Sequence, residues 1–232
     1  MAHVRCILMC QHGIDFLLFA TESHLVHVYR LSNHCEDLQP VHRFRPHSLS
    51  FKIPGRLAGN GPWGMALDPV RRHLYVCDVT HVAVVSIDNW ETVRTLGKPG
   101  ALFNSSEPGA LNDVGWVTLD LEGEEVYVTE FENHRVSVFG MLDGLFHRCF
   151  GSFGSDEGQF GFPRGIAWHP RTREIIVADS HNWRLAIFDR SGRFLRDIGR
   201  GRLQPNDVQV RPSTGHVFVD CILGGQVYCF AM

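Results

Sequence analysis

GFPRGIAWHPRTREIIVADSHNWRLAIFDRSGRFLRDIG, residues 161–199, reads as four short apolar strands divided by turns. The runs are rich in Ile, Val, Leu and Phe and are bounded by Gly, Pro, Asn, Asp and Ser, the pattern of half-buried β-strands. The second run ends on Asp179, the third on Phe188, and the fourth closes on Gly199. Moving outward, the same arrangement recurs as GPWGMALDPVRRHLYVCDVTHVAVVSID from Gly61 and DVGWVTLDLEGEEVYVTEFENHRVSVFG from Asp113. Aligned without gaps from the carboxylate onward, Asp78, Glu130 and Asp179 share a column. So do the polar residues His81, Asn133 and Asn182, and the strand ends Ile87, Phe139 and Phe188. The fourth strands ETVRTLG, LFHRCFG and RFLRDIG stop at Gly97, Gly151 and Gly199.

Two weaker copies flank these three. NDVQVRPSTGHVFVDCILGGQVYCF repeats the first three strands with Asp220 in the carboxylate position and no fourth strand. VRCILMCQHGIDFLLFATESHLVHVYR matches strand for strand, with Ala20 for the carboxylate and Ser23 for the Asn. A repeat of about fifty residues holding four strands is one blade of a β-propeller, each blade burying its faces against its neighbours. The expectation is an all-β chain, a single domain over 1–232, with units near 4–44, 62–97, 113–151, 162–199 and 205–230. Helical periodicity is absent. A fifth unit without its fourth strand leaves the alternatives of a five-bladed ring, an open ring or a piece of a six-bladed propeller. The unpaired edge predicts self-association or a partner.

The unit at 161–199 resembles an NHL repeat nearly end to end. It has the P-x-G start, the carboxylate ending the second strand, Asn182-Trp183-Arg184 in the turn and the aromatic Phe188. The unit at 113–151 is similar in Glu130, Asn133-His134-Arg135 and Phe139, and the unit at 62–97 keeps Pro62-Trp63-Gly64 and Asp78. Membership of this family would imply a six-bladed propeller that recruits a protein partner, commonly at the end of a chain bearing RING and B-box modules. Some members bind single-stranded RNA on a basic face. WD40 and kelch repeats fit less well, since no Trp-Asp terminus is present and Gly224-Gly225 is a lone pair.

Charge and cysteines narrow the classes further. Lys plus Arg is 22 against 25 Asp plus Glu, so the chain lacks the basic excess of a dedicated nucleic-acid binder. The seven cysteines include no C-x-x-C pair, and several lie in strand-like runs. They read as buried free thiols of a reducing compartment, the cytoplasm, with no structural zinc. The first twenty residues are too interrupted by polar positions for a secretion signal, and no apolar run is long enough to span a bilayer. Neither a G-x-S-x-G elbow nor a phosphate loop is present, so catalysis has no positive support and no cofactor is expected.

Candidate functional residues are those that break the repeat. The middle residue of the P-x-G start is Trp63, Val114, Arg164 and Asn206 in successive units, a variable rim on a rigid scaffold. Trp63, Arg164 and Asn206, with Phe103 of the long loop 98–113, are the expected partner-binding set. Arg190, Arg193, Arg196, Arg200 and Arg202 with Trp183 form the alternative, a basic strip able to contact phosphates and stack a base. Asp78, Glu130, Asp179 and Asp220 could hold a divalent cation in a metal-dependent hydrolase or lyase. The competing reading is that a carboxylate before a tight turn pairs with Arg135 or Arg184 and serves its own blade. His81, His134 and His181 fall in different columns and His169 alone ends a first strand, which argues against a histidine-held zinc.

Overall fold

The computed structural model describes residues 7–12, 15–22, 25–31, 38–45, 63–99 and 107–232. Blade one comprises β1 (Ile7–His12), β2 (Asp15–Glu22), β3 (Leu25–Leu31) and β4 (Leu38–Phe44). Blade two comprises β5 (Met65–Asp68), β6 (His73–Asp78), β7 (His81–Ser86) and β8 (Thr92–Leu96), followed by a short parallel pair, β9 (Lys98–Pro99) with β10 (Ala110–Leu111). Blade three has β11 (Val114–Asp120), β12 (Glu125–Glu130), β13 (Arg135–Gly140) and β14 (Phe146–Phe150). Blade four has β15 (Pro163–His169), β16 (Glu174–Asp179), β17 (Arg184–Asp189) and β18 (Phe194–Ile198). Blade five has three strands, β19 (Pro205–Val210), β20 (His216–Cys221) and β21 (Val227–Ala231).

Each blade is an antiparallel meander in chain order. The expected all-β propeller of four four-stranded units and a three-stranded fifth is what the fold shows. Innermost strands follow one another, β1 beside β5, β5 beside β11, β11 beside β15, and β15 beside β19. Among the described residues no contact of comparable extent joins β19 back to β1.

The core lies between blades because each strand alternates its side chains between two neighbours. Ile175 and Val177 of β16 pack toward blade three with Tyr127, Val136 and Val138. Ile176 and Ala178 of the same strand pack toward blade five with Val208, Val217 and Val219. The closing glycines make this packing possible. Gly97, Gly151 and Gly199 adopt left-handed φ of 79°, 96° and 72°. A Cβ on them would strike Leu111, Phe160 and Leu203, the residues that begin the next blade's core.

Pairing of the strands corrects three columns of the ungapped alignment. In blade two Asp78 pairs directly with His81, whereas Glu130 pairs with Arg135 and Asp179 with Arg184. The hairpin of blade two is therefore two residues shorter, and His81 occupies the arginine column rather than the asparagine column. Val85, opposite Leu74, then matches Phe139 and Phe188 in place of Ile87. Blade one makes the same short turn, Glu22 opposite Leu25, so its carboxylate is Glu22 and not Ala20. In blade five Pro205 pairs with Cys221 as Pro163 pairs with Asp179. Asp220 is one residue out of the carboxylate column and faces the other side of the sheet.

Cys77 and Cys221 are buried thiols, but Cys149 and Cys229 are exposed, contrary to the expectation of uniformly buried cysteines. Both lie at the outer strands of their blades, where alternate residues face solvent. No helix among the described residues is long and apolar enough to cross a membrane.

Candidate functional site

The starts of the innermost strands converge on one depression of about 250 Å³. Its walls come from three blades: Trp63 of blade two, Asp113, Val114, Gly115, Trp116, Phe131 and Glu132 of blade three, and Arg164 of blade four. The first strands β11, β15 and β19 begin with a bulge, seen as register shifts between Val114 and Val117, Pro163 and Ile166, and Pro205 and Asp207. Bulges re-aim side chains, and here they turn the strand starts toward the depression. By pairing, Gly115 rather than Val114 shares the column of Arg164 and Asn206, and Trp116 stands where blade four has Gly165.

Close backbone approach fixes how the walls meet. A Cβ on Gly64 would lie 2.7 Å from the Cα of Trp116, and one on Gly165 would lie 2.6 Å from the Cα of Asp207. The Thr129 hydroxyl ties the same region, donating to the Arg164 carbonyl at 2.8 Å and accepting from the Trp116 amide at 3.1 Å. The indoles of Trp63 and Trp116 sit 5.9 Å apart at 38°. Arg164 lies over the Phe131 ring at 5.1 Å. Its Nη1 donates to Asn206 Oδ1 at 3.1 Å, and Asn206 Nδ2 donates to Asp220 Oδ2 at 3.1 Å. Burial lowers the Arg164 pKa from its ordinary value, with the charge of Asp113 acting against the shift.

Beside Phe131 runs a strip of rings. Phe162 lies 4.9 Å from Phe131, 4.4 Å from His134 and 4.5 Å from His181, and Phe153 lies 4.7 Å from His134. The Phe162 amide donates to His134 Nδ1 at 3.1 Å, which requires an unprotonated nitrogen there. Burial lowers the His134 pKa and favours that neutral state.

Three of the four expected partner-binding residues thus belong to one constellation: Trp63 and Arg164 on the walls, and Asn206 bound to Arg164. Phe103 lies outside the described residues. Trp116 and Phe131 were not singled out in the sequence because only the meeting of three blades makes them wall residues. The tryptophan of Gly115-Trp116, standing where blades two and four carry glycine, was the available signal.

The carboxylate column is occupied by the blade's own donors. Glu130 accepts from Ser137 Oγ at 2.6 Å, Asn133 Nδ2 at 2.6 Å, Arg135 Nε at 2.7 Å and the Asn112 amide at 3.1 Å. Asp179 accepts from Gly161 N, Asn182 Nδ2 and Arg184 Nε at 2.7–2.8 Å. Asp78 faces His81 at 4.0 Å. Asp220 is exposed on another face, so the four candidates do not form one ring. Among the described residues no three His, Cys, Asp or Glu side chains come together as a metal site. His169 is buried with Nδ1 accepting from the Thr172 amide and Nε2 against the Gly215 carbonyl at 3.0 Å, so both nitrogens are engaged.

The basic strip is largely paired. Arg190 reaches Asp120 at 2.7 Å, Arg193 reaches Asp189 at 2.9 Å, Arg196 makes two bonds to Glu174, and Arg200 binds Asp197. Arg202 is exposed, and Trp183 is 37% exposed in a left-handed turn conformation.

Against known proteins, no family model matches the chain. It is 42% identical over 81 residues to protein brain tumor of Drosophila melanogaster, a match covering 32% of this chain and 8% of that protein. It is 41% identical over 71 residues to the B-box type zinc finger protein ncl-1 of Caenorhabditis elegans, covering 31% and 8%. With protein SUPPRESSOR OF QUENCHING 1, chloroplastic, of Arabidopsis thaliana it shares 28% identity over 148 residues, covering 57% and 14%. The matched stretch is thus a small part of each relative. A chain from the crystal structure of a nidogen/laminin complex superposes with a TM-score of 0.64 at 18% identity, over 92% of this chain and 73% of that one. That likeness speaks for the propeller fold.

Proposed function

We propose that the chain is an NHL-type propeller acting as a non-catalytic scaffold, recruiting a protein partner through the rim around Trp63, Trp116, Phe131 and Arg164. The observation that carries this reading is the convergence of aromatic and arginine side chains from three blades on one depression. Tryptophan, tyrosine and arginine dominate the energetics of protein interfaces, and they do so from desolvated pockets. The family reading draws support from brain tumor and ncl-1, NHL-repeat proteins more than 40% identical to this chain over the matched stretches. The buried free thiol of Cys221 agrees with a reducing, cytoplasmic setting.

Single-stranded RNA binding has weaker support, because four of the five arginines of the basic strip already bear a carboxylate. A metal-dependent hydrolase or lyase has less still, since Glu130 and Asp179 are saturated by donors. Affinity capture from native cells, with wild type beside Trp63→Ala and Arg164→Gln, tests the rim. Proteins held by wild type and released by both variants, irrespective of RNase, are expected. Equal retention by all three would remove the rim, and loss on RNase alone would favour RNA. Self-association through the edge of β21, which among the described residues pairs with β20 alone, belongs to the same reading, and sedimentation showing only monomer would remove it.

A further inference from the structure

The depression contains a charge that the fold leaves unsatisfied. Among the described residues the wholly or partly buried arginines Arg71, Arg135, Arg148, Arg184 and Arg190 each reach a carboxylate within 3.0 Å. Arg164, like the partly buried Arg94, makes no ion pair among the described residues, and its Nε, like those of Arg148 and Arg190, is buried without a hydrogen-bond partner. Its Nη1 is directed to Asn206 and its flat face rests on Phe131. What remains for a ligand is Nη2, since Nε is sealed from solvent and Nη1 is taken by Asn206. A guanidinium N–H there can bind a carboxylate oxygen in a charge-assisted hydrogen bond. Burial disfavours the bare cation, so an anion arriving from outside would relieve a cost already present in the free protein.

The rest of the lining sets the class of ligand. At about 250 Å³ the depression is smaller than the roughly 300–1,000 Å³ typical of whole small-molecule ligands, and it suits side chains of an extended chain. Trp63, Trp116 and Val114 supply an apolar wall beside Arg164. Asp113 and Glu132 line it too, and their charges oppose a dianionic phosphate or a run of acidic residues. A lone carboxylate carries half the charge of such a phosphate and so meets about half of that repulsion.

We propose that this depression is a receptor for a single carboxylate of an extended segment of a partner protein, an Asp or Glu side chain next to an apolar residue that lies on Trp63 and Trp116. This deepens the rim reading and rests on it. The test titrates protein labelled with nitrogen-15 at tryptophan with the peptide acetyl-Ala-Leu-Glu-Ala-amide and with its Gln and Lys counterparts. The Trp63 and Trp116 indole signals are assigned by single Trp→Phe variants. The Glu peptide is expected to shift both, with affinity about tenfold above the Gln peptide, the loss of one charge-assisted contact. Arg164→Gln and Arg164→Lys, each checked for an unchanged melting temperature, are expected to abolish that preference. Equal affinity for the Gln peptide, or preference for the Lys peptide, overturns the carboxylate receptor while leaving a peptide-binding rim. Absence of any shift with all three peptides also overturns it, and the rim reading is then judged separately by whether Trp63→Ala releases captured proteins.

Discussion

Blades four and five share their strand order and alternation, yet they secure the turn between second and third strands in different ways. In blade four the wholly buried Arg184 joins Asp179 to the carbonyls of Asp156 and Gln159, so one side chain fixes the hairpin and the loop arriving from blade three. In blade five the matching positions are Cys221 and Gln226. There the turn rests on backbone bonds, Cys221 N to Gln226 O at 3.1 Å and Ile222 N to Gln204 O at 2.9 Å. Leu223 and Val227 stand 58% and 67% exposed beside it. The sheet forms equally in both. What the ion-pair network adds is position: it holds the loop that leads into Phe162 and Arg164, and so the wall of the depression.

The largest expected break in this contrast is Arg184→Ala, which leaves Asp179 buried without its cation and costs about 3–5 kcal/mol. Gln226→Ala at the same column of blade five is expected to change stability by about 0.5 kcal/mol or less. Urea denaturation of both variants reads the difference, and equal losses would mean that the network does not distinguish the blades. Cys221→Asp puts a carboxylate into the blade-five column without a donor, at about 2–3 kcal/mol. Adding Gln226→Arg is expected to recover at least part of that loss, and a double variant no better than the single would show that the loops, not the pair, are decisive. Gly165→Ala forces a Cβ against Asp207 and costs about 1–3 kcal/mol through overpacking.

The last effect is a gain. Burial first, then the charge of Asp220, pushes Asp207 up to about 6 from an ordinary 3.8. The unfolded chain therefore gives up this proton more readily than the folded one. Stability falls as pH rises from about 4 to about 6 and stays lower above that window. Asp207→Asn is expected to flatten this slope and raise stability at pH 7 by about 1–2 kcal/mol. Thermal melts across pH 4–7 that keep the wild-type slope in the variant would assign it to another group.

The blades themselves were legible because alternation survives in every copy and closing glycines in the three central ones. The columns of blades one and two were not, for a physical reason. Shortening a hairpin by two residues keeps every side chain on its original face, so periodicity gives no warning that His81 has moved into the arginine column or that Glu22 is the carboxylate. The error at Asp220 was different. Val217, Val219 and Cys221 share one phase and Asp220 the other, so the alternation already marked it as facing the wrong way. Trp63 and Arg164 stood out as breaks in the repeat, whereas Phe131 gained its role only where blades two, three and four meet.

The column Gly64, Trp116, Gly165, Asp207 alternates a missing side chain with a bulky one, and each glycine lies under its larger successor. Adjacent blades are therefore not interchangeable parts. Duplicating one blade would set bulk against bulk or leave a gap at the axis, whereas duplicating two together would preserve the fit. For lineage and for engineering alike, the module that can be copied, lost or grafted in this protein is the blade pair.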